Sequence, residues 1–87
     1  MNSSELSLAA WDLVEHCQPW LTLEERNTAF VRLGVGDYNE AMVIALRSAA
    51  RERRTLPDTL LSRLVTLQQV YYFDRELAEV LAVVARA

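Results

Sequence analysis

The stretch that decides the fold is residues 37–51, which read DYNEAMVIALRSAAR. Its opening Asp37-Tyr38-Asn39-Glu40 is a helix-capping signal, because an aspartate at the cap accepts hydrogen bonds from backbone donors of the first turn. Alanines follow at every fourth position, 41, 45 and 49, and therefore share one face of a helix. Other apolar side chains widen that face. The stretch predicts a central helix that neighbouring helices approach closely.

Two helices are predicted before this one. The first runs from about Ser4 to Cys17 and stops there because Pro19 disfavours helical backbone at the residue before it. The second begins after Thr22, which forms a capping signal with Glu25 three residues later. We expect this second helix to end at Gly34, acting as the glycine that follows a helix end.

Two more helices are predicted after the central one. The fourth starts near Pro57, with Thr55 as its cap and proline in its first turn. Its apolar residues cover more than half its circumference, so it is either buried between neighbours or part of an outside interface. Asp74 is the predicted cap of a fifth helix that runs to the C-terminus. A single bent helix in place of the fourth and fifth is the alternative.

The predicted fold class is therefore all-α, a compact bundle of four to five short helices. Residues 1–87 are expected to form one helical domain, with residues 1–3 frayed. The helices are expected to pair as a lead helix followed by two helical hairpins. A weak repeat favours this pairing, since residues 22–50 align without a gap on residues 59–87, with Asp37 on Asp74 and Ala41 on Ala78. Because Ala, Leu, Val and Arg are common here, chance matches are the alternative explanation.

One segment resembles a known family. Gly36-Asp37-Tyr38-Asn39-Glu40-Ala41, followed by Ala45-Leu46, is similar to the start of the second helix of a tetratricopeptide repeat. The resemblance covers roughly a dozen residues and implies a helix–turn–helix. We interpret it as local convergence on the same turn chemistry.

Composition narrows the functional classes. The chain is 52% apolar with a net charge of −3, and a mildly acidic protein is not a typical nucleic-acid binder. Its basic residues are nine Arg and no Lys, a bias typical of high-GC bacterial genomes. A single cysteine excludes an intrachain disulfide. With no signal peptide and no apolar run of about 20 residues, a cytoplasmic location without membrane insertion is expected.

The residues that carry chemistry are few. His16 and Cys17 are adjacent on a helix and point in different directions, so neither a zinc site nor a Cys–His nucleophile pair is expected. Cys17 is predicted in the core and His16 at its edge. No catalytic residues, cofactor, metal or small-molecule substrate is predicted, and an enzymatic role is not expected.

Aromatic side chains are the first candidates for binding a partner. Tyr71-Tyr72-Phe73, taken as helical, span too wide an arc for all three to enter one small core, so at least one is expected at an interface. The alternative places Tyr71 in the core and the other two over the bundle end. Trp20 is a second candidate, or a cover for the bottom of the bundle.

Arginines are the second candidates. Arg47, Arg51, Arg53 and Arg54 cluster near the end of the central helix, and Arg47 and Arg51 lie one turn apart. They form either a solvated helix end that the helix dipole favours or a patch for phosphate or an acidic protein surface. We predict a non-enzymatic protein–protein interaction module, an adaptor, inhibitor or regulatory subunit. Its partner is another protein or a second copy of the chain, and a nucleic-acid-associated regulator is the alternative. The predicted partner-binding residues are Trp20, Tyr71, Tyr72, Phe73, Arg47, Arg51 and Arg54.

Overall fold

The structure, a computed structural model, describes residues 4–86 of the chain. Within them the backbone forms five α-helices joined by short connections. They are α1 (Ser4–Cys17), α2 (Leu23–Gly34), α3 (Tyr38–Arg51), α4 (Asp58–Val70) and α5 (Arg75–Arg86), with a single 3-10 turn (Gln18–Trp20) after α1. The all-α prediction is confirmed. The predicted fraying of residues 1–3 lies outside the described residues.

Local capping explains where α2 and α3 begin. Thr22 caps α2 with a reciprocal pair of bonds to Glu25, in which the Thr22 hydroxyl accepts from the Glu25 backbone N–H at 3.1 Å. Asp37 caps α3 by accepting from the backbone N–H of Glu40 at 3.4 Å. Both predicted caps are confirmed, as are the bounds of α1.

The end of α2 differs from the prediction. Gly34 is the last helical residue, and the left-handed position after the helix is taken by Gly36 with φ +82°. The backbone N–H groups of Gly36 and Asp37 then donate to the carbonyls of Leu33 and Arg32, closing a Schellman motif. The second glycine and not the first therefore makes the turn.

The start of α4 also differs. Thr55 does not cap this helix; Pro57 occupies the cap position and supplies no side-chain hydrogen bond. Leu60, Leu64 and Leu67 form a one-sided buried stripe, while Val65 and Val70 are exposed. Helix α4 is therefore an outer helix that packs one face on α1, and not one enclosed by neighbours.

Helix α3 is the centre of the bundle, as predicted. It packs against α1, α2 and α5, and its inner face is buried along almost its whole length. The buried residues of α3 are Ala41, Met42, Val43, Ala45, Leu46, Ser48 and Ala49. Small side chains at positions 41, 45 and 49 permit close approach of these neighbours.

The helix pairing matches the prediction for the first hairpin and departs from it for the second. Helices α2 and α3 pack as a hairpin, but α4 packs mainly on α1 and α5 mainly on α3. The starts of α3 and α5 are joined through Asn39, and Ala50 and Val83 near their ends line one groove. The two helices therefore run in the same general direction, and α4 is the crossover between them.

Candidate functional site

The α4–α5 connection, residues 71–74, is fastened to the body of the protein and is named here the Tyr72 loop. Its first residue, Tyr71, has extended backbone (φ −109°, ψ 155°), and its N–H closes α4 on the Leu67 carbonyl at 2.8 Å. Asn39 of α3 then holds the loop from the side. Its Nδ2 donates to the Tyr72 carbonyl at 3.1 Å, and its Oδ1 accepts from the Asp74 N–H at 2.8 Å.

The far end of the Tyr72 loop is fixed by a helix cap. Asp74 accepts from the backbone N–H of Leu77 at 2.9 Å, which confirms it as the cap of α5. The alternative of one continuous helix is therefore wrong. Every residue of the loop from Tyr71 to Asp74 either makes a backbone hydrogen bond or adjoins one that does.

The three aromatics of this loop have three different environments. The prediction that they continue a helix is wrong, because α4 ends at Val70. Phe73 is buried in the core and is not a surface residue, whereas Tyr71 is partly buried and packs against the core. Tyr72 is 79% exposed, and Val70 beside it is also exposed. Of the triplet, Tyr72 alone presents most of its side chain to the outside.

Trp20 belongs to a cluster at the other end of α3. Its half-buried ring meets His16 edge-on, with ring centroids 5.5 Å apart, and the Arg54 guanidinium lies 5.7 Å from the ring centroid. Arg51 donates to the Trp20 backbone carbonyl at 2.8 Å. The contacts of Trp20 therefore tie the α1–α2 connection to the end of α3.

The predicted arginines are largely engaged within the chain. Arg51 holds Glu25 through two bonds of 2.7 and 3.0 Å, and Arg47 forms an ion pair with Glu76 of α5. The hydrogen bonds from Arg51 and the Thr22 backbone lower the pKa of Glu25 from 4.5 to about 2. Glu25 in turn raises the pKa of Arg51 above its usual range.

The two groups of predicted residues do not form one site. Tyr72 meets α3 at Asn39, whereas Trp20 meets α3 at Arg51, and these two residues of α3 are twelve positions apart. At 1.5 Å per residue the separation is roughly 18 Å along the helix. The structure therefore offers an exposed aromatic at the start of α3 and a structural cluster at its end.

Open grooves run between neighbouring helices in the described part of the chain. One of about 440 Å³ separates α2 from α3 and includes Glu24, Glu40 and Ile44 in its lining. Another of about 310 Å³ separates α3 from α5 and includes Val80 and Val83. A third, of about 410 Å³, lies between α1 and α4. The sequence did not lead us to predict these lining residues as a surface. For the two grooves beside α3, the signal was the three- and four-residue spacing of positions 40, 44 and 47.

The single cysteine lies in the core, as predicted, whereas the single histidine, predicted at the edge of the core, is exposed. Burial raises the pKa of the Cys17 thiol to about 12, although a hydrogen bond with Ser48 acts in the opposite direction. Ser48 itself donates to the Ala45 carbonyl at 2.6 Å, so its oxygen is free to accept from the thiol. Within the described residues, no three His, Cys, Asp or Glu side chains come together in a metal-binding arrangement.

Comparison with known proteins finds no family model, no curated protein and no solved structure that matches this chain. Among residues 4–86, no helix combines the length and apolar character that a bilayer crossing requires.

Proposed function

We propose that this chain is a non-enzymatic protein-binding module that engages its partner through the Tyr72 loop. The observation that carries the proposal is the 79% exposure of Tyr72 on a loop whose backbone is held by Asn39 and Asp74. Tyrosine is enriched among the residues that dominate binding energy at protein interfaces.

The fastening of the loop matters as much as the exposure of its aromatic. Association has to overcome the entropy of ordering the groups that meet, and a loop that is already ordered in the free protein reduces that cost. Phe73 is buried immediately beside Tyr72, so the loop is anchored by core packing as well as by hydrogen bonds. Val70, the last residue of α4, adds exposed apolar surface two residues before Tyr72.

The arginine-based alternative has less support. Arg47 and Arg51 each face a carboxylate of the same chain, which reduces the positive field they offer to a phosphate backbone. The proposal therefore favours a protein partner, in the cytoplasm of a bacterial host, over nucleic acid.

The test is site-specific photo-cross-linking in the native host. A benzophenone amino acid replaces Tyr72 in one variant and Leu23 in a matched control. Leu23 is 66% exposed at the start of α2, where Glu25 meets Arg51 at the other end of α3. We expect a discrete adduct from position 72 that position 23 does not give. Unlabelled protein that carries Tyr72→Ala should compete poorly for that partner. Identical adducts from both positions, or none from position 72, would contradict the proposal.

A further inference from the structure

The outer side of α3 is an unpartnered helix face with a groove along each flank. Positions 40, 44 and 47 follow the three- and four-residue helical spacing and lie between α2 on one side and α5 on the other. We name Glu40, Ile44 and Arg47, with the lining of these two grooves, the α3 face. Arg47 lines both grooves and separates them through its ion pair with Glu76.

The α3 face offers apolar side chains in both grooves, but they are unevenly divided. Ile44 is the one apolar residue in the lining of the α2–α3 groove, where Thr28 and the glutamates surround it, whereas Ala50, Val80 and Val83 line the α3–α5 groove. Val83 is 53% exposed, so part of this apolar surface is open to a partner. A helix lying in such a groove buries side chains at positions i, i+3, i+4 and i+7 against surfaces of this kind.

The charges of the α3 face are strongly unbalanced. Its lining includes five carboxylates against a single guanidinium; the carboxylates are Glu24, Glu25, Glu40, Glu76 and Glu79. Glu25, Glu76 and Glu79 are paired with arginines. Within residues 4–86, Glu24 and Glu40 form no ion pair, although they stand on the two sides of one groove.

We propose that the α3 face binds an amphipathic helix that carries cationic side chains, as a part of the protein partner inferred above. Apolar residues of that helix would enter the two grooves, and its cations would meet Glu24 and Glu40. This inference rests on the proposed function, since the Tyr72 loop adjoins the same face: Asn39, which holds the loop, is next to Glu40. From Glu40 to Ala50 the face is roughly 15 Å long, which matches about three turns of helix.

The test uses the full chain and a defined probe. The probe is a synthetic helix of about 14 residues with leucine on one face and lysine on the other, and its control replaces every lysine with glutamate. Titration calorimetry at low salt is expected to show binding of the lysine peptide only. Amide chemical shifts should move at Ile44 and along both grooves.

Matched variants separate this face from a general attraction to an acidic protein. E24Q/E40Q should weaken probe binding about fivefold to tenfold, because each exposed ion pair with the probe contributes only modestly. E5Q/E15Q changes the net charge equally on α1 and should weaken it less than about twofold. Ile44→Asp should weaken it at least as much as E24Q/E40Q, with denaturation curves showing that the variant is folded.

Three outcomes would overturn the inference: no binding of the lysine peptide, equal effects of the two double variants, or binding of the glutamate peptide. Self-association through this face, seen as a dimer by sedimentation that Ile44→Asp dissociates, would overturn it as well. The proposed function is decided separately. If position 72 gives an adduct and E24Q/E40Q does not change its yield, only the basic-helix inference is refuted. If position 72 gives no adduct, the binding role of the Tyr72 loop is refuted.

Discussion

The two halves that the sequence aligns, α2–α3 and α4–α5, share the aspartate cap of their second helix and differ in their packing. Asp37 and Asp74 occupy equivalent positions, and each accepts a backbone N–H three residues later. Yet α2 and α3 lie against each other, while α4 and α5 are directed to different partners. Equivalent capping therefore sets where a helix starts without setting which neighbour it meets.

Burial shows the same difference position by position. The buried residues Leu77, Leu81 and Val84 of α5 align with the outer positions 40, 44 and 47 of α3. The face that α5 turns to the core is therefore the face that α3 turns outward. The repeat is therefore shared at the starts of α3 and α5, and it does not extend to core packing.

The connections explain the divergence. Residues 35–37 close a tight Schellman turn that returns the chain alongside α2. Residues 71–74 instead leave α4 in an extended conformation, insert Phe73 into the core and attach to Asn39. One connection is determined locally, and the other by a contact 33 to 35 residues away in the sequence.

The largest expected effect comes from removing the core anchor of the second connection. Phe73→Ala should lower the free energy of unfolding by about 3–4 kcal/mol, because it leaves a cavity where an aromatic ring was buried. Urea denaturation measures the change. Tyr72→Ala next to it should cost less than about 0.5 kcal/mol, and similar losses from both variants would mean that Phe73 is not the anchor.

Removing the side-chain clamp should have the next largest effect. Asn39→Ala leaves the Tyr72 carbonyl and the Asp74 N–H without their partner and should cost about 2 kcal/mol. Hydrogen exchange is expected to show faster exchange at Asp74 and in the first turn of α5. Asn27→Ala on the exposed side of α2 is the control, and equal stability of the two variants would remove Asn39 from this role.

The first connection is tested by its two glycines, which should respond with opposite signs. Gly36→Ala should destabilise by about 1–2 kcal/mol, because its φ of +82° is unfavourable for a residue with a Cβ. Gly34→Ala should stabilise by about 0.5–1 kcal/mol, since this glycine is helical and an added Cβ meets nothing within 4 Å. Thermal unfolding of both variants provides the check, and changes of the same sign would contradict the assignment of the turn.

The smallest effect concerns the ion pair that joins α2 to α3. The pKa of Glu25 is lower in the folded chain, so its stabilisation is complete above about pH 4.5 and is lost as the pH falls towards 2. A pair this close to the solvent contributes little to the free energy of unfolding, so this effect should be the smallest of the four. Glu25→Gln should flatten this part of the stability–pH curve, whereas Glu24→Gln, which removes no ion pair, should preserve its slope.

Local signals explain what the sequence could predict. Proline ends a helix, and threonine and aspartate cap one, through effects on residues at most three positions away. The bounds of α1 and the caps of α2, α3 and α5 were therefore predicted correctly. Gly34 was predicted to take the left-handed position after α2, and this prediction was wrong because Gly36 takes it. Which of the two glycines does so depends on the residue at which the helix ends. Local signals alone do not settle such a choice.

Distant partners explain what the sequence missed. Asn39 holds the loop that follows α4, and Glu76 and Glu25 hold Arg47 and Arg51. Each of these partners is more than 25 residues away in the sequence. The spacing of residues along one helix does not indicate which residue of another helix they will contact. The exposure of Tyr72 was anticipated only as one of three aromatics, because its neighbours were assigned to a helix that ends before them.

The buried thiol of Cys17 is a built-in reporter of how often the core opens. It lies beneath α3 with a pKa of about 12, so a thiol reagent reaches it only when the core opens. Labelling kinetics would therefore report the frequency of opening around α3 without any introduced probe. A partner that holds α3 in place should slow that labelling. The labelling rate of Cys17 therefore measures whether binding at the surface reduces opening of the core.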